Sequence, residues 1–166
     1  MFKLDSKKPV LTVSEKVYAV LPLSPPATNW STIDWYWKKI CGIPFLMRNI
    51  INIQRAGIDS LIIYGNTDNT SLYRRLCKEK KITIKLTFET DVEKVIKVTK
   101  DYPVLILNSE ALHTKQEIES GMSFSNQSNE ALAYPIDRET MAKTINQITL
   151  ENKVSPAQSS GDQNSC

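Results

Sequence analysis

The chain has 166 residues, of which 21 are basic and 18 acidic, giving a net charge of +3. That excess is too small, and too evenly mixed with acid, to mark a nucleic-acid-binding surface. With 41% hydrophobic and 23% charged residues, the composition is that of one folded domain and not of a disordered polymer.

No run is apolar enough to span a bilayer. The one around residues 43–53 is interrupted by Arg48, Asn49 and Asn52, so direct membrane insertion is not expected. The first ten residues carry lysines without an apolar stretch, so no signal peptide is expected. Cys41, Cys77 and Cys166 are scattered, which fits free thiols in a reducing, cytoplasmic compartment. His113 is the only histidine, which argues against a Cys/His metal centre.

In chain order, residues 1–15 form a polar lead-in. Residues 16–23 (KVYAVLPL) predict a buried strand, ended by Pro25 and Pro26, which cannot donate to a ladder. Residues 24–40 read as a loop holding all three tryptophans, Trp30, Trp35 and Trp37. Pro44 fits the first turn of a helix, with Phe45, Leu46, Asn49, Ile50, Ile53 and Ala56 on one mostly apolar face. Gly57 stands where a left-handed cap is needed.

Residues 59–64 predict a second strand, 65–70 a turn, and 71–80 a short basic helix with Leu72 and Leu76 on one face. Alternation over 82–88 predicts a strand with one wet face. Thr90 and Glu93 suggest a capping box for a helix through Lys100, and Thr114 and Glu117 suggest another. Between them, Pro103–Leu107 (PVLIL) reads as a buried strand. Residues 121–130 read as a loop. Asp137 or Thr140 is expected to cap a last helix bearing Met141, Ile145 and Ile148, and 154–166 reads as a disordered tail.

Strands alternating with helices imply an α/β fold, mostly a parallel sheet with helices on both faces, occupying residues 16–153. Ligands of such sheets bind beyond the carboxyl ends of the strands. Ligand contacts are therefore expected after the first, second and last strands, with Ser24, Thr28 and Asn108 among them.

The stretch GIPFLMRNIINIQRAGIDSLIIY, residues 42–64, resembles the second motif block of sugar-phosphate and molybdenum-cofactor-type nucleotidyltransferases. It is most similar to the cytidylyltransferase-like domain associated with CDP-alcohol phosphotransferases. The strand VLIL followed by Asn108, Ser109 and Glu110 is similar to that family's strand ending in Asn-Gly-Asp. There, the aspartate binds the catalytic magnesium. The resemblance implies a Rossmann-like, glycosyltransferase-A-like three-layer sandwich. It implies transfer of a nucleotidyl group, with a cytidylyl group as the favoured candidate, from a nucleoside triphosphate to a sugar- or polyol-phosphate. A role in phospholipid headgroup synthesis, beside a CDP-alcohol phosphotransferase as partner, goes with it.

The same resemblance puts Glu110 and Asp137 at Mg2+, and Lys38, Lys39 and Arg48 at the phosphates. The bland readings are a solvated Glu110, a helix-capping Asp137 and solvated cations, with Arg55 two turns from Arg48 on the same face. The family's glycine loop is missing, because Gly42 is the first glycine of the chain. Glycine lets backbone N–H groups approach phosphate at positive φ. Weak or absent turnover is therefore expected. A degenerate, non-catalytic module that binds a protein is the alternative, with the tryptophans either contacting a base or partner or filling the former pocket.

Overall fold

A computed structural model of the chain describes residues 16–24, 29–124 and 138–151. Four parallel strands form one sheet: β1 (Tyr18–Pro22), β4 (Ser60–Tyr64), β5 (Lys85–Glu89) and β6 (Val104–Ile106). Their spatial order is β5-β4-β1-β6. Tyr18 lies opposite both Ser60 and Val104, and Ser60 opposite Lys85, so the register is in step across the sheet. The strand assignments made from sequence hold.

Period-two alternation sends Ala19, Leu21, Leu61, Ile63, Leu105 and Leu107 to one face of the sheet. That face is covered by α2 (Phe45–Arg55), α3 (Thr70–Leu76) and α5 (Lys115–Phe124), through Leu46, Ile50, Ile53, Leu72, Leu76 and Ile118. Val20, Ile62 and Val104 face the other way, onto Val95 of α4 (Val92–Thr99) and Met141 and Ile145 of α6 (Arg138–Glu151). The result is the three-layer α/β sandwich expected.

Gly57 follows α2 with φ +89°, as the left-handed cap requires. Thr114 and Glu117 do form a reciprocal capping box, N–H to carboxylate at 2.7 Å and N–H to hydroxyl at 3.2 Å. The Glu117 carboxyl accordingly lies below its ordinary pKa, held there by the hydrogen bonds from Thr114.

Several boundaries differ from expectation. The strand expected at 82 begins at Lys85, because Gln54 Oε1 takes the Thr83 N–H at 3.0 Å and holds that segment in a turn. The helix expected to run to residue 80 stops at Leu76, and the chain turns back through Lys78 N–H to Arg75 and Glu79 N–H to Leu76. Helix α4 is capped by Asp91, whose side chain accepts from Glu93 N–H at 2.9 Å, and not by Thr90. The loop expected from residue 121 is helical to Phe124. Thr140 lies inside α6, not at its cap, and Asp137 lies outside the described residues.

The largest departure is in the tryptophan-rich segment, read as a loop. It contains α1 (Thr32–Trp37), capped by Ser31, whose hydroxyl oxygen accepts from Asp34 N–H at 3.1 Å. A two-residue hairpin follows, β2 (Lys39–Ile40) against β3 (Ile43–Pro44). Its turn, Cys41 and Gly42, has φ of 48° and 80°, the positive values that suit a primed turn.

Ile53 is wholly enclosed, whereas Val98 is exposed. Ile53→Ala should therefore cost about 2–5 kcal/mol in urea unfolding, and Val98→Ala less than about 0.5 kcal/mol. Equal costs would show that the core is misassigned.

Candidate functional site

The sheet has one topological switch point. The chain leaves β1 over the α2 face to reach β4 on one side, and reaches β6 on the other side through α4 on the opposite face. Beyond the carboxyl ends of β1 and β6 the connections therefore diverge, which in open α/β sheets marks the crevice where ligands bind. Ser24 follows β1 there, and Ser109 and Glu110 follow β6.

Helix α1 closes over this junction with a single buried side chain, Tyr36. The Tyr36 hydroxyl accepts the Ser24 N–H at 2.8 Å and lies 2.7 Å from the Ser109 hydroxyl. The Ser24 N–H also points to the Ser109 hydroxyl, at 3.3 Å. Burial pushes the Tyr36 phenol well above its usual range, so it works as a neutral hydroxyl. The three groups fasten the ends of β1 and β6 together.

The loop after β6 is fixed from below by α2. Asn49 is fully buried and mimics a backbone amide: its Nδ2 donates to Ala111 O at 2.8 Å, and its Oδ1 accepts the His113 N–H at 3.0 Å. Asn52 donates to His113 O at 2.8 Å. His113 Nε2 lies 2.7 Å from Asn108 O, and since a carbonyl only accepts, that ring nitrogen carries the proton. Asn108 Oδ1 accepts the Glu110 N–H at 2.9 Å. Glu110 is thus held in a fully braced turn. One of its carboxylate oxygens, Oε1, is buried with no hydrogen-bond partner. Burial raises the pKa of this carboxyl above the ordinary glutamate value.

The cations expected at phosphates have other partners. Arg48 donates from Nε and Nη2 to Ile40 O, at 3.0 and 2.7 Å, and so braces the hairpin. Lys38 caps α1 and lies 4.4 Å over the exposed Trp30 ring. Lys39 is exposed on β2, and Arg55 is exposed at the end of α2. Ser24, Asn108 and Glu110 do come together at the crevice. Thr28 and Asp137 lie outside the described residues. The tryptophans divide: Trp35 packs on Phe45 at 6.1 Å, Trp37 on the Arg75 guanidinium at 4.0 Å, and Trp30 stays at the surface. Cys77 is a free thiol, exposed at the end of α3.

Sequence reasoning missed Tyr36, Ser109, Asn49 and His113. Asn49 carried a signal, as a polar residue in the middle of an apolar helix face. Tyr36 carried none, because the segment around it read as a loop.

No family model and no curated protein matches the sequence. Solved structures do match the fold. HddC from Yersinia pseudotuberculosis is 16% identical with a TM-score of 0.54, over 69% of this chain and 56% of that one. HddC complexed with GMP-PN gives 14% identity and a TM-score of 0.53, over 68% and 55%. A nucleotidyl transfer enzyme, "a nucleotidyl transferase from Methanothermobacter thermautotroptrophicus", gives 8% and 0.50, over 65% and 57%. The fold is that of the nucleotidyltransferases. The chain spans little more than half the length of each of these structures.

Within the nucleotidyltransferase fold, Glu110 is a fitting ligand for a hard cation, since its buried oxygen has no other partner. No group of three or more Asp, Glu, His or Cys gathers around it among the described residues. Magnesium commonly takes one or two carboxylates and fills its shell with water and phosphate, so one carboxylate does not conflict with it. No described helix is long and apolar enough to cross a membrane.

Two outcomes follow. Asn49→Ala leaves the part-buried His113 N–H and Ala111 C=O without their side-chain partner, so it should cost about 1–3 kcal/mol. Amide exchange at His113 should accelerate with it; unchanged exchange there would refute the brace. Glu110→Gln should stabilise the fold at pH 7. The folded pKa is raised, so the penalty for burying charge is absent below the ordinary value of 4.5 and grows as pH rises through the folded pKa. The advantage of the glutamine should therefore vanish at pH 4 in urea titrations, and a larger advantage at pH 4 would contradict it.

Proposed function

We propose that the crevice between β1 and β6 takes a nucleoside triphosphate with Mg2+, and that the chain is a nucleotidyl-transfer domain of low intrinsic activity. The orphaned, buried carboxylate oxygen of Glu110 carries this reading, in a fold shared with nucleotidyltransferases. HddC, which shares the fold, was solved complexed with GMP-PN.

In the proposed reaction an oxygen of a sugar- or polyol-phosphate attacks the α-phosphorus, and the bond from that phosphorus to pyrophosphate breaks. Bound Mg2+ would neutralise charge developing on the phosphates. Glu110 would hold it, joined by Asp137 as a second carboxylate. Asn108 fixes the turn that aims Glu110, and His113 and Asn49 fix Asn108's loop. Ser24 and Thr28 would contact the nucleotide. Lys38 would bring charge to the phosphates from the loop. Arg48 would act through the hairpin that it braces, and that hairpin carries Lys39 to a different cleft and not to the phosphates. The wording of residues 42–49 and 54–58 favours CTP as donor and a polyol-phosphate as acceptor, with a CDP-alcohol phosphotransferase using the product.

A second reading has its own observation. The first two backbone donors after β1 are both already taken, the Leu23 N–H by Tyr64 O and the Ser24 N–H by the Tyr36 hydroxyl. Residues 24–40 also contain no glycine to turn further N–H groups inward. Both features favour a module that keeps the fold, has lost efficient turnover and serves as a protein-binding partner.

Calorimetry with each nucleoside triphosphate and Mg2+ separates the two. Magnesium-dependent CTP binding is expected, weakened about tenfold or more in Glu110→Ala and unchanged in Asp101→Ala, an exposed acid before β6 at the opposite edge of the sheet. Added Mg2+ should also lower the Glu110 pKa in carbon-13 titrations. Pyrophosphate release with sugar- and polyol-phosphates should be slow. No binding of any nucleotide would leave the module reading, and fast turnover abolished in Glu110→Ala would overturn the low activity proposed.

A further inference from the structure

The hairpin, the end of α1 and the end of α3 enclose a cleft of about 300 Å³ that contains none of Ser24, Tyr36, Ser109 and Glu110. Its walls hold Lys39, Arg75 and Lys81, against one carboxylate, Glu79. None of these four forms an ion pair with any described residue. A net positive cleft whose cations find no carboxylate partner leaves its charge to be met from solution.

Arg75 is the organised element. Its guanidinium carbon lies 4.0 Å over the Trp37 ring, a cation–π contact that restrains the side chain. No described acceptor takes its N–H groups, so the edge of the fork is open to a planar or tetrahedral oxyanion. Met47, buried, supplies apolar floor beside it.

The walls are preorganised. Arg48 holds the hairpin through Ile40 O, which sets Lys39. Gln54 donates to Lys81 O at 3.1 Å and accepts from Thr83 N–H, which fixes the backbone that carries Lys81. Binding at such a site costs little reorganisation.

We infer that this cleft is a second anion site, distinct from the crevice, which takes a phosphate group on the Trp37-stacked Arg75 with Lys39 and Lys81 beside it. The phosphate belongs to free phosphate or to a phosphorylated small molecule that the cleft's volume admits. This inference does not depend on nucleotide binding at the crevice.

The test is a titration of the nitrogen-15-labelled full chain with inorganic phosphate and, separately, with glycerol 3-phosphate. The Trp37 indole N–H and the Gly42 and Lys81 amides should shift saturably, and the response should weaken as sodium chloride is raised. The double variant Arg75→Gln, Lys81→Gln should bind about tenfold more weakly or worse. Lys39→Gln serves as an independent variant, since all three side chains are exposed and their loss should leave the fold intact. Glu110→Ala should bind phosphate here as the natural chain does. A tighter response to glycerol 3-phosphate assigns a phosphorylated metabolite, and equal responses assign free phosphate. Lys39→Gln should also weaken binding, and no saturable shift at Trp37 and Gly42, or affinity in both the double variant and Lys39→Gln equal to that of the natural chain, would overturn the site.

Discussion

A single buried amide sets the geometry of the carboxyl edge. Asn49 stands on α2 with no exposure, and it presents one donor and one acceptor to the loop after β6, as a neighbouring strand would. An unpaired amide at that depth would cost several kcal/mol, about 2–7 in apolar surroundings. The helix and the loop are therefore bound to one arrangement, because any other leaves both partners unsatisfied. Glu110 inherits its position from this constraint. Its turn is closed by Asn108, whose carbonyl meets the His113 ring, and the His113 backbone is held by Asn49 and Asn52. A lone carboxylate oxygen can remain buried without a partner only where such a brace prevents it from swinging out to water.

On the other side of the crevice the constraint is a hydroxyl pair. Tyr36 and Ser109 join the ends of β1 and β6, and the Ser24 N–H completes the junction. This arrangement meets the backbone donor internally. A phosphate-binding loop does the reverse, leaving N–H groups pointed at an empty place until the ligand fills it. The two solutions exclude each other at Ser24. The chain has satisfied its own backbone where a phosphate loop leaves it open, and the acid on the β6 side is the part of the crevice that still lacks a partner.

The fold was legible because its signals are periodic. Apolar runs, two-residue alternation and the apolar faces of 45–56 and 92–99 placed the four strands of the sheet and the helices α2 and α4, and Gly57 marked a real left-handed cap. Boundaries were less legible where a distant side chain decides them: Gln54 ends the turn before β5, thirty residues away in sequence, and no local pattern reveals that. Helix α1 was missed because prolines, aromatics and the absence of glycine read as a loop, while its cap, Ser31 with Asp34, is a short local signal. At the site, Glu110 and Asn108 were legible as residues after a strand. Tyr36 and Ser109 were not, because their meeting joins residues 73 apart and rests on topology.

The cations show where sequence position and three-dimensional position part. Lys38, Lys39 and Arg48 are close in sequence to the loop after β1, which made the phosphates of a nucleotide their natural partners. Two intervening residues with positive φ, Cys41 and Gly42, fold that segment back into a hairpin, and the hairpin redirects the charges. Arg48 then serves the hairpin backbone, while Lys39 joins Arg75 and Lys81 around a different cleft. Guanidinium and ammonium groups interact with a phosphate strongly only at short range and away from bulk water. Charge gathered around the second cleft contributes little at the crevice. The turn at Cys41 and Gly42 is thus what separates the chain's two electrostatic features: an under-satisfied acid at the switch point of the sheet, and unpaired cations on the face of its helical layer.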